Sequence, residues 1–107
     1  MPQPLTPAQL HVLLALADGP SHGYAIMQAG RASAGSGVPM GPGTVYGTLA
    51  RLEEAGWVTE LPSSSSRRRT FALLPPGRAA LEREAARVAR LAELLRAKRL
   101  LTAESGS

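Results

Sequence analysis

Prolines at positions 7, 42 and 75 each stand at the head of an apolar pattern with helical spacing, which divides the chain into separately started helices. Proline suits the first helical turn, where its missing N–H would have no partner, and is excluded from helix interiors. Thr6-Pro7-Ala8-Gln9 adds a capping threonine and a glutamine three residues later, so a first helix is expected from Thr6 to Ala17, with Leu10, Leu13, Leu14 and Ala17 at helical spacing. Asp18-Gly19-Pro20 ends it. Ser21 is expected to cap a second helix whose inner face is Tyr24, Ala25, Ile26 and Ala29, loosening into a connection from Gly30 to Gly41. Gly41-Pro42-Gly43-Thr44 opens a third helix with Val45, Leu49 and Leu52 on one face and Gly56 as a left-handed stop after Ala55. Pro75-Pro76-Gly77 opens the last, expected to run to about Leu101.

Between the third and last helices, Trp57 to Leu61 and Arg69 to Leu73 alternate in the manner of strands, and Pro62 with four serines separates them. Three short helices, a hairpin and a long helix describe a mainly α fold with a small β-hairpin (α+β). The expected layout is a winged helix-turn-helix in residues 1–74, a long C-terminal helix in 75–102 and a disordered tail at 103–107. A length of 107 residues suits one core, and 44% hydrophobic against 19% charged residues is the balance of a folded chain. No cysteine and only two histidines argue against disulfides, thiolate chemistry and a dedicated metal site. No cofactor is expected. Paired acids, an activated nucleophile and a phosphate loop are all missing from the pattern, so an enzyme is the poorest fit. No apolar run approaches the roughly 20 residues that span a bilayer, and no signal-like start precedes the first helix, so a cytoplasmic protein without a membrane partner is expected.

Charge is unevenly placed. Residues 1–66 set Arg31 and Arg51 against Asp18, Glu53, Glu54 and Glu60, a net of −2; the remainder sets ten Arg or Lys against Glu82, Glu84, Glu93 and Glu104, a net of +6. A polyanionic partner accounts for this asymmetry, and so does arginine on a solvated helix.

Four segments then carry a resemblance together: His22-Gly23-Tyr24; Gly41-Pro42-Gly43-Thr44-Val45-Tyr46; Leu49-Ala50-Arg51-Leu52-Glu53-Glu54-Ala55-Gly56; and Phe71-Ala72-Leu73-Leu74-Pro75-Pro76-Gly77. In order and spacing they resemble the PadR family of bacterial transcriptional regulators, over roughly residues 5 to 100. The resemblance implies a homodimeric repressor-like protein that binds double-stranded operator DNA and is released by a small-molecule effector. It also places Gly43 and Tyr46 in the DNA-contacting motif.

The residues support the same picture on their own terms. With Val45, Leu49 and Leu52 pointing inward, Thr44, Thr48 and Arg51 fall on a different, polar face, where threonine can meet bases or phosphate and Arg51 a phosphate or guanine. Gly47 and Thr48 are small enough for close approach to groove walls. His22 and Tyr24 sit at the start of the second helix, where free N–H groups favour an anion; His22 is equally readable as a capping side chain, and Tyr46 as a half-buried core tyrosine. His11 reads as a packing residue of the first helix. Arg67, Arg68 and Arg69 follow the serines and form an arginine-rich wing for phosphate or a minor groove, with a solvated face as the bland alternative.

On the last helix, Leu81, Ala85, Val88, Ala92 and Leu95, widened by Leu91 and Leu94, make a stripe longer than a small head can cover. A second copy of the chain is the expected cover, giving a two-fold dimer and a palindromic operator; folding back on its own head is the alternative. Short PadR-like proteins can hold planar ligands on aromatic residues at the dimer centre. The last helix here has no aromatic residue, and Trp57 is expected to belong to the core; an aliphatic effector stays open, and the sequence names none. Two other functions remain open from sequence: a winged-helix interaction module binding an acidic protein partner, and a small-molecule binding protein.

Overall fold

The computed structural model describes residues 4–63 and 68–101; Arg67, the serines at 64–66 and the expected tail at 103–107 lie outside the described residues. The elements are α1 (Pro7–Ala15), β1 (Ser21–His22), α2 (Gly23–Ala34), a 3-10 turn (Gly35–Gly37), α3 (Pro42–Glu54), β2 (Val58–Leu61), β3 (Thr70–Leu73) and α4 (Pro75–Ala97). The fold is a winged-helix α+β arrangement.

The start of α1 is the expected capping box: Gln9 N–H donates to Thr6 Oγ1 at 3.1 Å and Thr6 N–H to Gln9 Oε1 at 3.0 Å. The helix stops at Ala15, two residues early, because the N–H groups of Leu16 and Ala17 turn back to Leu13 and Leu14 in a tighter spiral. Its buried residues are Val12 and Leu13, followed by Leu16 in the turn, whereas Leu14, expected inside, is exposed.

Three expectations for the next segment are corrected. Ser21 does not cap α2; His22 does, its Nδ1 accepting from Ala25 N–H at 3.4 Å, while Ser21 and His22 pair with Phe71 and Thr70. The extended conformation of an N-cap is also that of a strand, so these residues cover an edge of β3 that would otherwise be bare. The hairpin thereby becomes a three-stranded antiparallel sheet in the order β1-β3-β2. The buried face of α2 is Gly23, Ile26 and Gly30, not Tyr24 and Ala29, and the helix continues to Ala34. Gly30 is no loop marker: the end of the Met40 side chain lies where a Cβ would stand.

Val45, Leu49 and Leu52 of α3 are buried as expected, and Gly56 ends that helix region at φ 80°. Together with Val12, Leu13, Leu16, Ile26, Met40, Val58, Phe71 and Leu81 they form one core. The strands are each one residue shorter than expected, with Val58 opposite Leu73 and Leu61 opposite Thr70.

Helix α4 covers about 34 Å at 1.5 Å per residue. It stops at Ala97 rather than near Leu101. Arg99 takes a left-handed φ of 61°, and the N–H groups of Leu100 and Arg99 return to the carbonyls of Leu95 and Arg96. This is a Schellman closure without glycine, which is why sequence does not announce it. Only the first turns are covered by the head: Gly77, Ala80, Leu81 and Glu84 are buried. Gly77 lies so close to the Trp57 backbone carbonyl that no side chain fits between them. Gly77→Ala is therefore expected to lower the thermal midpoint, losing about 1–3 kcal/mol to overpacking against about 1 kcal/mol of helix propensity gained. An unchanged or raised midpoint would contradict this contact.

Glu84 is the one buried charged residue among the described residues, 5% exposed. Arg87 clamps it through Nε to Oε1 at 3.1 Å and Nη2 to Oε2 at 2.6 Å, and the Leu5 backbone N–H also donates to it. These donors hold the carboxyl below its usual range, the Arg87 hydrogen bonds most of all. A carboxylate with a lowered folded value contributes stability that is complete above the ordinary carboxylate range and lost as pH falls through the folded value. Thermal melts from pH 7 to pH 3 are expected to show a shallower acid decline for Glu84→Gln than for the unaltered chain; parallel declines would contradict it.

Candidate nucleic-acid interface

Two surface grooves gather most of the residues that sequence singles out. The first, about 300 Å³, lies between the start of α1 and the outer side of α3, and its walls include Gly43, Thr44, Gly47, Thr48 and Arg51. Burying Val45, Leu49 and Leu52 fixes the rotation of α3, so its opposite side must face outward. Thr44 and Thr48 stand half-buried at the flank, while Gly43, Gly47, Ala50 and Arg51 are exposed. A Cβ at Gly43 or Gly47 would meet nothing within 4 Å. The opposite wall, Thr6 and Gln9, is not signalled by sequence, because those side chains read only as helix caps.

The second groove, about 240 Å³, brings together His22, Gly23, Tyr24, Tyr46, Arg68 and Arg69 from β1, α2, α3 and the wing. Tyr46 is its hub. Its hydroxyl lies against Gly23, closing the gap between α2 and α3, and its ring meets Phe71 edge-on with centroids 6.4 Å apart. Tyr24 is 61% exposed, and its hydroxyl accepts from Gln28 Nε2 at 2.6 Å. His22 lies at the α2 start with one ring nitrogen committed to the cap. His11, by contrast, ties α1 to α2 through Ser33 Oγ at 2.7 Å.

The arginine run is divided. Arg68 is exposed, and among the described residues no hydrogen bond or ion pair holds it. Arg69 is tied down: Nε and Nη2 reach the two Glu60 carboxylate oxygens at 3.0 and 2.9 Å, and its guanidinium carbon stands 5.3 Å from the ring centres of both Tyr46 and Phe71. The Glu60 carboxyl is held below its usual range by the Arg69 hydrogen bonds, and the guanidinium is raised in turn. Glu60 was not singled out by sequence. Its pairing with Arg69 depends on strand register, which the long serine connection conceals.

The proposed stripe of α4 is also divided. Leu81 lies in the chain's own core, because Gly77 lets the helix start flat against the Trp57 carbonyl. Ala85, Val88 and Leu91 are exposed, and so is Leu94; Ala92 and Leu95 are half-buried. Trp57 packs against the core and lines a separate cavity of about 200 Å³ with Leu5, Glu84 and Arg87. Among the described residues no cluster of three His, Cys, Asp or Glu is placed to hold a metal, and no helix is long and apolar enough to cross a membrane.

The chain matches known proteins in keeping with this geometry. A PadR family regulator from Clostridium difficile superposes with a TM-score of 0.71 at 20% identity, over 85% of this chain and 96% of that one. A probable transcriptional regulator from Pseudomonas aeruginosa has a TM-score of 0.67 at 29% identity, over 94% of this chain and 69% of that one. Bordetella bronchiseptica BpsR, whose structure concerns regulation of its DNA binding by 6-hydroxynicotinic acid, has a TM-score of 0.71 at 25% identity, over 87% of this chain and 67% of that one. An uncharacterized 37.1 kDa protein in transposon TN4556 of Streptomyces fradiae is 54% identical over 84 residues, 78% of this chain; the chain spans only 24% of that relative's length. The transcriptional regulator PadR-like family matches over residues 12–83, and the chain belongs to that family.

Proposed function

We propose that the chain is a homodimeric transcriptional repressor that reads a palindromic operator with α3 and steadies it with the wing. The observation that carries the proposal is the outer side of α3. Gly47, inside the helix, forgoes about 0.8–1.0 kcal/mol relative to alanine, and Gly43 stands bare in the first turn, although nothing among the described residues crowds either position. Close approach to an external surface gives those glycines a purpose, and the flanking Thr44, Thr48 and Arg51 offer the donors and acceptors that groove readout needs. In the second groove, His22, Tyr24 and Tyr46 surround a place for a backbone phosphate. Arg68 adds charge there, and Arg67 remains its sequence neighbour in the same role.

Dimerisation rests on α4. Val88, Leu91 and Leu94 are 42–51% exposed, and burying the half of each side chain still in water yields about 1 kcal/mol each. A second copy, offering the same row, is the cover we propose, and it would set two α3 helices for successive major grooves. Release by a small-molecule effector belongs to the same proposal; regulation of BpsR by 6-hydroxynicotinic acid is a precedent in a protein of similar fold. The working place is the cytoplasm, where the DNA lies.

Selection of bound sites from random DNA tests the proposal: a two-fold symmetric consensus is expected, and recovery of unrelated sequences would refute it. Val88→Glu with Leu95→Glu is expected to give monomers by sedimentation and to lower operator affinity about 100-fold or more through lost bivalency; dimers of undiminished strength would remove the seam. Gly47→Leu is expected to hold or raise the melting temperature while weakening operator binding at least about tenfold, or 1.4 kcal/mol. Unchanged binding by that variant would mean that Gly47 does not face the DNA.

A further inference from the structure

Residue 69 is the meeting point of four elements. Its backbone carbonyl accepts the Gly23 N–H at 3.1 Å, holding the wing to the start of α2. Its guanidinium takes both carboxylate oxygens of Glu60 on β2 and stands over Tyr46 of α3 and Phe71 of β3. Glu60 in turn is tied to α3 a second time, its N–H donating to Glu53 Oε2 at 3.1 Å. The contacts close into a ring: Tyr46 to Arg69, Arg69 to Glu60, Glu60 to Glu53, and Glu53 back along α3 to Tyr46. A ring of this kind fixes the offset between the wing and α3.

We infer that Arg69 is a positioning residue, a strut that holds the wing against α3 through Glu60 and Tyr46, and that it does not itself neutralise phosphate. The inference rests on the proposed role of α3 and the wing in DNA binding and refines it, because the adjacent Arg68 and Arg69 acquire different duties. A planar fork bonded bidentately to a carboxylate through Nε and Nη2, and standing over two rings, is held in one orientation toward β2 and α3, and lysine has no geometry that replaces it. Arg68, with no such ties, is the charge left for the phosphate backbone. Fixing the offset matters because a helix in a groove and a wing on the neighbouring backbone bind together only if their separation matches the duplex.

Glu60 makes the inference testable, since the two duties predict opposite signs. If Arg69 served mainly as free charge, Glu60→Ala would remove a nearby negative group and tighten DNA binding. As one end of a strut, Glu60→Ala is expected to weaken operator binding about tenfold. Arg69→Ala should weaken it to a similar degree and the double variant no further, with the slope of log affinity against log salt unchanged in all three. Arg68→Ala should instead lower that slope by about 0.9, the loss of one phosphate contact. Arg69→Lys, which keeps charge and fold but not the fork, should resemble Arg69→Ala. Tighter binding by Glu60→Ala, a reduced slope for Arg69→Ala, or full rescue by lysine would each overturn the strut.

Hydrogen exchange on the protein without DNA decides the matter independently. The amides of Val58–Leu61 and Thr70–Leu73 are expected to exchange about tenfold faster in Glu60→Ala and Arg69→Ala than in the unaltered chain or Arg68→Ala. Unaltered exchange would dismiss the strut even if operator binding is confirmed. Faster exchange in a chain that ignores all DNA would uphold the strut and dismiss the proposed function.

Discussion

The core's reach along α4 is the constraint on which the rest of the molecule depends. Val45, Leu49 and Leu52 of α3 pack with Leu13 of α1, Ile26 of α2 and Phe71 of β3, and this small aliphatic interior reaches only as far as Leu81 and Glu84. Beyond that point the helix carries Val88, Leu91 and Leu94 into solvent. Rows of exposed leucine and valine are costly to leave in water. The same core that leaves them bare also turns α3 so that its glycine- and threonine-lined side is outermost. Both surfaces of the proposed function thus follow from one choice of which helix faces to bury.

Electrostatics then works at the joints between head, wing and α4. Two carboxylates are held by bidentate arginines: Glu84 by Arg87 where α4 leaves the head, and Glu60 by Arg69 where the wing meets α3. In both cases the acid is less exposed than its arginine, so the fork reaches inward to satisfy it. Charges that serve this way are withdrawn from the pool available to a polyanion. The net positive charge of the C-terminal half therefore overstates what DNA would encounter, and exposed, unpaired groups such as Arg68 and Arg51 are the more informative ones.

Local signals made the fold largely legible in sequence. The capping box of Thr6 and Gln9, the prolines at 42 and 75, and the apolar spacing of Val45, Leu49 and Leu52 act within a few residues, and each leads directly to an observed element. The α3 side of the candidate site follows from the same spacing. What stayed hidden depends on partners far along the chain. Ser21 and His22 become a strand because Phe71 and Thr70 lie alongside. Gly30 stays helical because Met40 packs onto it, and Tyr24 turns outward because Gly23 is needed against Tyr46. Glu60 looked like an ordinary surface acid until strand pairing brought Arg69 to it, and Glu84, although Arg87 is only three residues on, gave no sign that packing against the head would bury it. The α4 stop at Arg99 escaped notice because its left-handed residue is an arginine rather than a glycine.

A hydroxyl-radical footprint on DNA carrying a selected site tests most directly whether paired copies of α3 meet the duplex. Two protected windows on one face, about 10–10.5 base pairs apart centre to centre, are expected, each related to the other by the symmetry of the site. A single window, or even protection without periodic edges, would contradict the pairing of two reading helices across the α4 seam.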